Sequence, residues 1–148
     1  MSPEPDTPAT PQRRLYLDTS AYLCLLLGEA GWERLSEDMA GAELLSSVLL
    51  VLEARRSLIR LAREGTLTPE QYKTCMDRVE EDTNVLALRD LTLDLCESNI
   101  LPAVATPRSL DLAHLRTALW FHAAEPVERF VTTDASQRQA ARDLGLPV

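Results

Sequence analysis

The chain is read from its sequence as an α/β domain: a mostly parallel sheet with helices covering both faces. Three observations predict this. Short apolar runs of strand length alternate with longer segments of helical spacing from Leu15 to the end of the chain. A length of 148 residues suits one domain that buries its own core without disulfides. A hydrophobic fraction of 45% favours globular folding over disorder.

Residues 1–12 hold Pro3, Pro5, Pro8 and Pro11 and almost nothing apolar, so a disordered or extended tail precedes a single domain over 13–148. Leu15–Leu17 is the first strand. Ser20 is a candidate cap for a helix from about Ala21 into the Leu25–Leu27 run. After Gly28 and Gly31, a second helical pattern covers Trp32 to Met39. Glu43–Ser46 is a weakly marked second strand. Ser46 or Ser47 can cap the next helix, from about Val48 to Glu64, with Gly65 just past its end. Thr68, Pro69 and Gln71 form a capping-box start. The helix they open is polar and runs to about Asp82, where Asn84 breaks it. Val85–Leu88 is the third strand, and Asp90 can cap a helix from about Leu91 to Ser98. Pro102 and Pro107 bracket a loop. Ser109 opens a helix from about Leu110 to Ala124, and Pro126 ends it. Phe130–Thr133 is the fourth strand and Ser136–Leu144 the last helix, closed by Gly145. Leu146–Val148 can add a short edge strand, so the sheet has four or five strands.

The formal net charge is −8, which argues against a broad nucleic-acid surface. Cys24, Cys75 and Cys96 are odd in number and include no CxxC pair, which fits a reducing compartment better than a disulfide framework or a thiolate zinc site. No signal peptide is recognisable, and Leu23 to Leu27 is far shorter than the roughly 20 apolar residues of a membrane span. A soluble cytoplasmic protein with no membrane partner is the expectation.

Four acids carry the candidate chemistry. Asp18 follows the first strand, at the end of a sheet where α/β folds bind ligands. Glu53 sits on a helix with Arg56 and Arg60 within about 60° on the wheel and Arg63 just beyond. Alone, Glu53 and Arg56 make an ordinary surface pair. Asp111 opens a helix, where the dipole favours acids anyway, with His114 near it on the same face. His114 and His122 are read as packing or hydrogen-bonding histidines, although an Asp-x-x-His pair can ligate metal. Asp134 follows the fourth strand and is otherwise a helix cap. Thr19, Ser20, Thr132 and Thr133 have hydroxyls placed to hydrogen-bond these carboxylates, or serve as turn residues. Converging acids repel unless a cation neutralises them, and oxygen ligands suit Mg²⁺ or Mn²⁺.

The sequence resembles PIN-domain ribonucleases, and among them the VapC-type toxins of VapBC toxin–antitoxin pairs. The resemblance covers about Leu15 to Val148. It rests on Leu17-Asp18-Thr19-Ser20-Ala21, on Ser46-Ser47 through Leu52-Glu53-Ala54-Arg55-Arg56, on Leu110 to Ala118, and on Phe130 to Asp134 leading to Val148. It implies a three-layer α/β/α sandwich and an acidic quartet of Asp18, Glu53, Asp111 and Asp134, with Asp134 the most variable metal contact. It also implies Mg²⁺- or Mn²⁺-dependent endoribonuclease activity on RNA such as tRNA or rRNA, a homodimer, and inhibition by a cognate antitoxin. Arg116 departs from the small residue expected beside His114, with a possible effect on the pocket mouth or the dimer surface. A local basic strip of Arg55, Arg56, Arg60 and Arg63 would then contact RNA. The leucines after Asp18, with Trp32, are a candidate groove for an antitoxin helix; as the bland alternative, most are ordinary core.

Two rival readings stand beside this one. The first is a PIN-like module that binds RNA or a partner without cutting. The second is a receiver- or phosphatase-like domain with Asp18 as nucleophile. Ser20 occupies the place where such a phosphatase needs a second aspartate, and the one lysine, Lys73, lies on a polar helix.

Overall fold

A computed structural model of the chain describes residues 11–97, 104–105 and 108–148. Most of the proline-rich tail, and most of the loop between Pro102 and Pro107, lie outside the described residues. So does Ser98.

The elements in chain order are β1 (Arg14–Leu17), α1 (Thr19–Leu27), α2 (Trp32–Met39), β2 (Glu43–Ser47), α3 (Leu49–Arg63), α4 (Pro69–Val85), β3 (Ala87–Arg89), α5 (Leu93–Glu97), α6 (Ser109–Ala124), β4 (Arg129–Val131) and α7 (Ala135–Asp143). The strands form one sheet in the order β3-β2-β1-β4. Every pairing is parallel, and Tyr16 sits opposite both Leu45 of β2 and Phe130 of β4.

Side chains of a strand alternate between faces, and β1 uses both. Leu15 and Leu17 join a core with Ala21 and Tyr22 of α1, Met39 of α2, Leu50, Ala54 and Leu58 of α3, and Val79 of α4. Tyr16 joins the other core, with Leu115, Ala118 and Phe121 of α6, Phe130 of β4, and Ala140 and Ala141 of α7. Helices α1 to α4 therefore cover one face and α6 and α7 the other. The protein is a three-layer α/β/α sandwich.

The strand order also marks a crevice. From β1 the sheet grows outward through β2 and β3; the chain then crosses back to lay β4 on the other side of β1. The direction reverses between β1 and β4. Beyond the carboxyl ends of those two strands lies the crevice in which sheets of this kind hold ligands. Asp18 follows β1 directly, and Thr132 follows β4.

Several boundaries differ from expectation, each for a local reason. Asp18, not Ser20, caps α1: its side chain accepts from the Ala21 amide, and the helix starts at Thr19. Ser47 ends β2 and its hydroxyl accepts from the Leu49 amide, 3.2 Å away, which opens α3. The capping box at Thr68 and Gln71 forms with both reciprocal bonds, at 3.1 and 2.9 Å. Asn84 does not break α4. Its amide donates back to the Glu80 carbonyl, the helix continues to Val85, and β3 is pushed on to Ala87. Helix α5 begins only at Leu93, too late for an Asp90 cap. Gly65 takes the left-handed conformation after α3, with φ +75°, which a side chain would strain. Leu146–Val148 adds no strand among the described residues; the Pro147 carbonyl accepts one bond from the Phe130 amide, at 2.7 Å. No described helix is long and apolar enough to cross a membrane.

Candidate functional site

Asp18 is nearly fully buried at the end of β1. Its Oδ1 accepts from the Ser20 hydroxyl at 2.7 Å and from the Ala21 amide at 3.0 Å. Its Oδ2 accepts from the Thr132 hydroxyl at 2.5 Å. Burial raises this carboxyl above its ordinary value, and the two hydroxyls, the amide and the His114 ring only partly offset that. Ser20 and Thr132 are thus bound to the carboxylate, as hydroxyls flanking it can be. Thr133 uses its backbone, donating its amide to the Ser20 hydroxyl at 3.0 Å.

Glu53 reaches the same crevice from α3. Its Oε1 accepts from the Thr19 hydroxyl at 2.8 Å and lies 2.9 Å from His114 Nε2. The other ring nitrogen of His114 lies 2.8 Å from the Tyr16 hydroxyl. Histidine and tyrosine are both buried. With hydrogen on Nε2, every donor here finds an acceptor: Tyr16 O–H to Nδ1, and Nε2–H to Glu53. Burial pushes Glu53 upward, but the His114 hydrogen bond, the Thr19 hydroxyl and the Arg108 guanidinium outweigh it and leave the carboxyl below its ordinary value. Burial, reinforced by Asp18 and Glu53, pushes the Tyr16 phenol well above its ordinary value despite Ser46 and Thr117, so it stays a donor.

Asp111 lies in the first turn of α6 and is half-buried. Burial raises its carboxyl, and Asp134, Asp18 and Glu53 each raise it further, while Arg108 lowers it. All four sequence-predicted acids therefore share one electrostatic neighbourhood. Asp134 is at its rim. It is exposed and caps α7, its Oδ1 accepting from the Gln137 amide at 3.0 Å.

Gln137, which sequence reasoning passed over, is buried, and its side-chain amide donates to the Asp111 carbonyl at 2.8 Å. It ties the helix that Asp134 caps to the one that carries Asp111. A polar residue on the inner face of α7, beside Ala140 and Ala141, was the signal available.

The remaining predicted residues divide. His122 is structural, accepting the Val127 amide at 3.0 Å. Arg116 clamps α5 to α6, donating to the carbonyls of Leu95 and Cys96. Of the expected basic strip, Arg55 turns toward Met76 of α4 and Arg60 pairs with Glu64 at 3.1 Å. Arg56 and Arg63 stay exposed, on a face they share with exposed Leu52 and Ile59. Leu25, Leu26 and Trp32 line a cavity of about 460 Å³ with Met39 and Leu86. Leu23, Leu25, Leu26 and Leu27 are also packed against the core.

The donor chemistry suits a hard divalent cation better than a soft one, since the acids of this neighbourhood offer carboxylate oxygens and the three cysteines are free and unpaired. Among the described residues, no three His, Cys, Asp or Glu side chains stand close enough together to hold a metal ion in their present conformations. Asp18 and Glu53 are instead engaged by hydroxyls and by His114. The chain matches no protein-family model and no curated protein.

Proposed function

We propose that the protein is a metal-dependent endoribonuclease, the toxin of a toxin–antitoxin pair, with Mg²⁺ or Mn²⁺ bound among Asp18, Glu53, Asp111 and Asp134. One observation carries the metal-site reading. Four acids from four separate segments lie in one electrostatic neighbourhood at the switch point of a parallel sheet, and Asp111 is pushed upward by burial and by the other three. Such a cluster is unfavourable until positive charge enters it. RNA as substrate, tRNA or rRNA in particular, rests on the sequence resemblance, as do the antitoxin, the homodimer and the toxin role.

A bound cation would supply an activated water and neutralise charge developing on a phosphodiester. The chain's own residues supply orientation. Ser20 and Thr132 fix the Asp18 carboxylate from both oxygens. His114, itself held by Tyr16, fixes Glu53. Positioned carboxylates of this kind lose metal affinity when such supports are removed.

The test is cleavage of a structured RNA by the purified chain in Mn²⁺ or Mg²⁺, against EDTA. Asp18→Asn and Asp111→Asn should each abolish cleavage with the circular dichroism spectrum unchanged. Asparagine is chosen at position 18 because it still caps a helix. Variants that cut as well as the parent would show that the carboxylates are not the site.

A further inference from the structure

We propose that a second cavity, along the outer edge of β4, is a subsite for the backbone phosphates of the RNA beside the carboxylates. This rests on the ribonuclease reading above and names where its substrate backbone lies. The cavity measures about 420 Å³, and its lining includes Arg34, Asp38, Arg129, Thr132, Thr133 and Arg138.

Three arginines around one small cavity stand out in a chain of net charge −8. They come from separate elements: α2, β4 and α7. Arg129 is 3.6 Å from Asp38, which sets one cation against the one carboxylate side chain of the lining. Val148, at the chain end, also lines the cavity. Arg34 has no hydrogen-bond or ion-pair partner among the described residues. Arg138 commits one nitrogen, donating to the Thr132 carbonyl at 2.8 Å. Two exposed guanidiniums thus keep most of their donors for a ligand. Their planar fork matches phosphate oxygens.

Position selects the ligand. Thr132 belongs to both places: its carbonyl holds Arg138, and its hydroxyl holds Asp18 at 2.5 Å. A polyanion whose scissile phosphate enters the acidic crevice meets repulsion there. Cations one residue away offset that repulsion and set the direction of the strand. The α3 strip offers less, because Arg55 and Arg60 are already engaged.

The experiment is fluorescence anisotropy of a short labelled single-stranded RNA with the full chain in EDTA, over a salt series. The proteins compared are the parent, Asp18→Asn and the double variant Arg34→Gln/Arg138→Gln. The double variant should bind about tenfold more weakly at low salt, with a log–log salt slope less steep by about 1.4, as expected for two lost phosphate contacts. Asp18→Asn should bind at least as well as the parent. Equal binding by parent and double variant at every salt concentration, including no binding by either, overturns the subsite. Cleavage in Mn²⁺ is scored separately. If Asp18→Asn cuts like the parent while the double variant loses RNA affinity, the carboxylate reading fails and the subsite stands.

Discussion

The two faces of the sheet are held by different chemistry. The face under α1 to α4 is mainly aliphatic: Leu15, Leu17, Leu50, Ala54, Leu58 and Val79 pack together, and the Tyr22 hydroxyl at its margin donates to Asp82 at 2.8 Å. The face under α6 and α7 is built around Tyr16. Its ring stacks on Phe130 with centroids 5.3 Å apart and meets His114 edge-on at 5.9 Å. Its hydroxyl starts the polar column that runs through His114 to Glu53. The first face supplies stability without direction. The second gives up some apolar contact to hold one carboxylate in one orientation.

The sharpest way to break this contrast is Leu58→Ala on the aliphatic face. It should cost about 2–5 kcal/mol in urea denaturation. Mn²⁺ affinity measured below the transition should stay near that of the parent. On the polar face, His114→Leu should cost less, about 1–3 kcal/mol, because Tyr16 loses its acceptor and Glu53 one of its two donors. Mn²⁺ affinity should nevertheless fall about 10–100-fold. Tyr16→Phe should cost about 1 kcal/mol and couple to His114→Leu in a double-mutant cycle. If His114→Leu leaves Mn²⁺ binding untouched, the column is only core packing.

Asp111→Asn should have a smaller effect of opposite sign. A carboxyl raised by folding holds its proton more tightly in the native state. Stability therefore falls as pH rises from the ordinary value of 3.8 through the raised one. Asp18 acts in the same direction. Glu53, lowered from 4.5, acts oppositely: its contribution is present above that value and is lost as pH falls through the lowered one. Thermal melts in EDTA should show Asp111→Asn above the parent at neutral pH by about 1–3 °C, with a flatter decline above pH 4. An unchanged pH profile would mean the acids do not repel. The smallest effect belongs to the surface pair of Arg60 and Glu64, where Arg60→Ala should cost about 0.5 kcal/mol or less.

The sandwich was legible because its signals are local. Leu15–Leu17, the Thr68 capping box and the helix opened by Ser109 can each be read within a few residues. Asn84 misled because its side-chain amide found the Glu80 carbonyl one turn back within the same helix, a bond that lets the helix run on. The acids were legible as strand-end and helix-start residues, but their partners were not. Glu53 and His114 are 61 residues apart, and no periodicity reports on such a pair. The sequence reads His114 as packing or hydrogen-bonding, and its partners Tyr16 and Glu53 are not visible there. The arginines were the least legible. A helical wheel gives a direction but not a neighbour, and Met76 and Glu64 claimed two of the four expected on the strip. Arg34 and Arg138 sit about a hundred residues apart in the chain and come together only because β4 crosses to the far side of β1.

That crossing also sets a timetable. Thr132 reaches Asp18 from 114 residues downstream. Contacts of such separation close slowly, since the loop entropy is lost before they form. A chain emerging from the ribosome can build α1 to α4 on β1 and β2 while Asp18 still lacks the Thr132 hydroxyl, Asp111 and all of β4. The acidic neighbourhood does not exist on such an intermediate. Whatever chemistry the clustered carboxylates support can begin only after synthesis has passed β4.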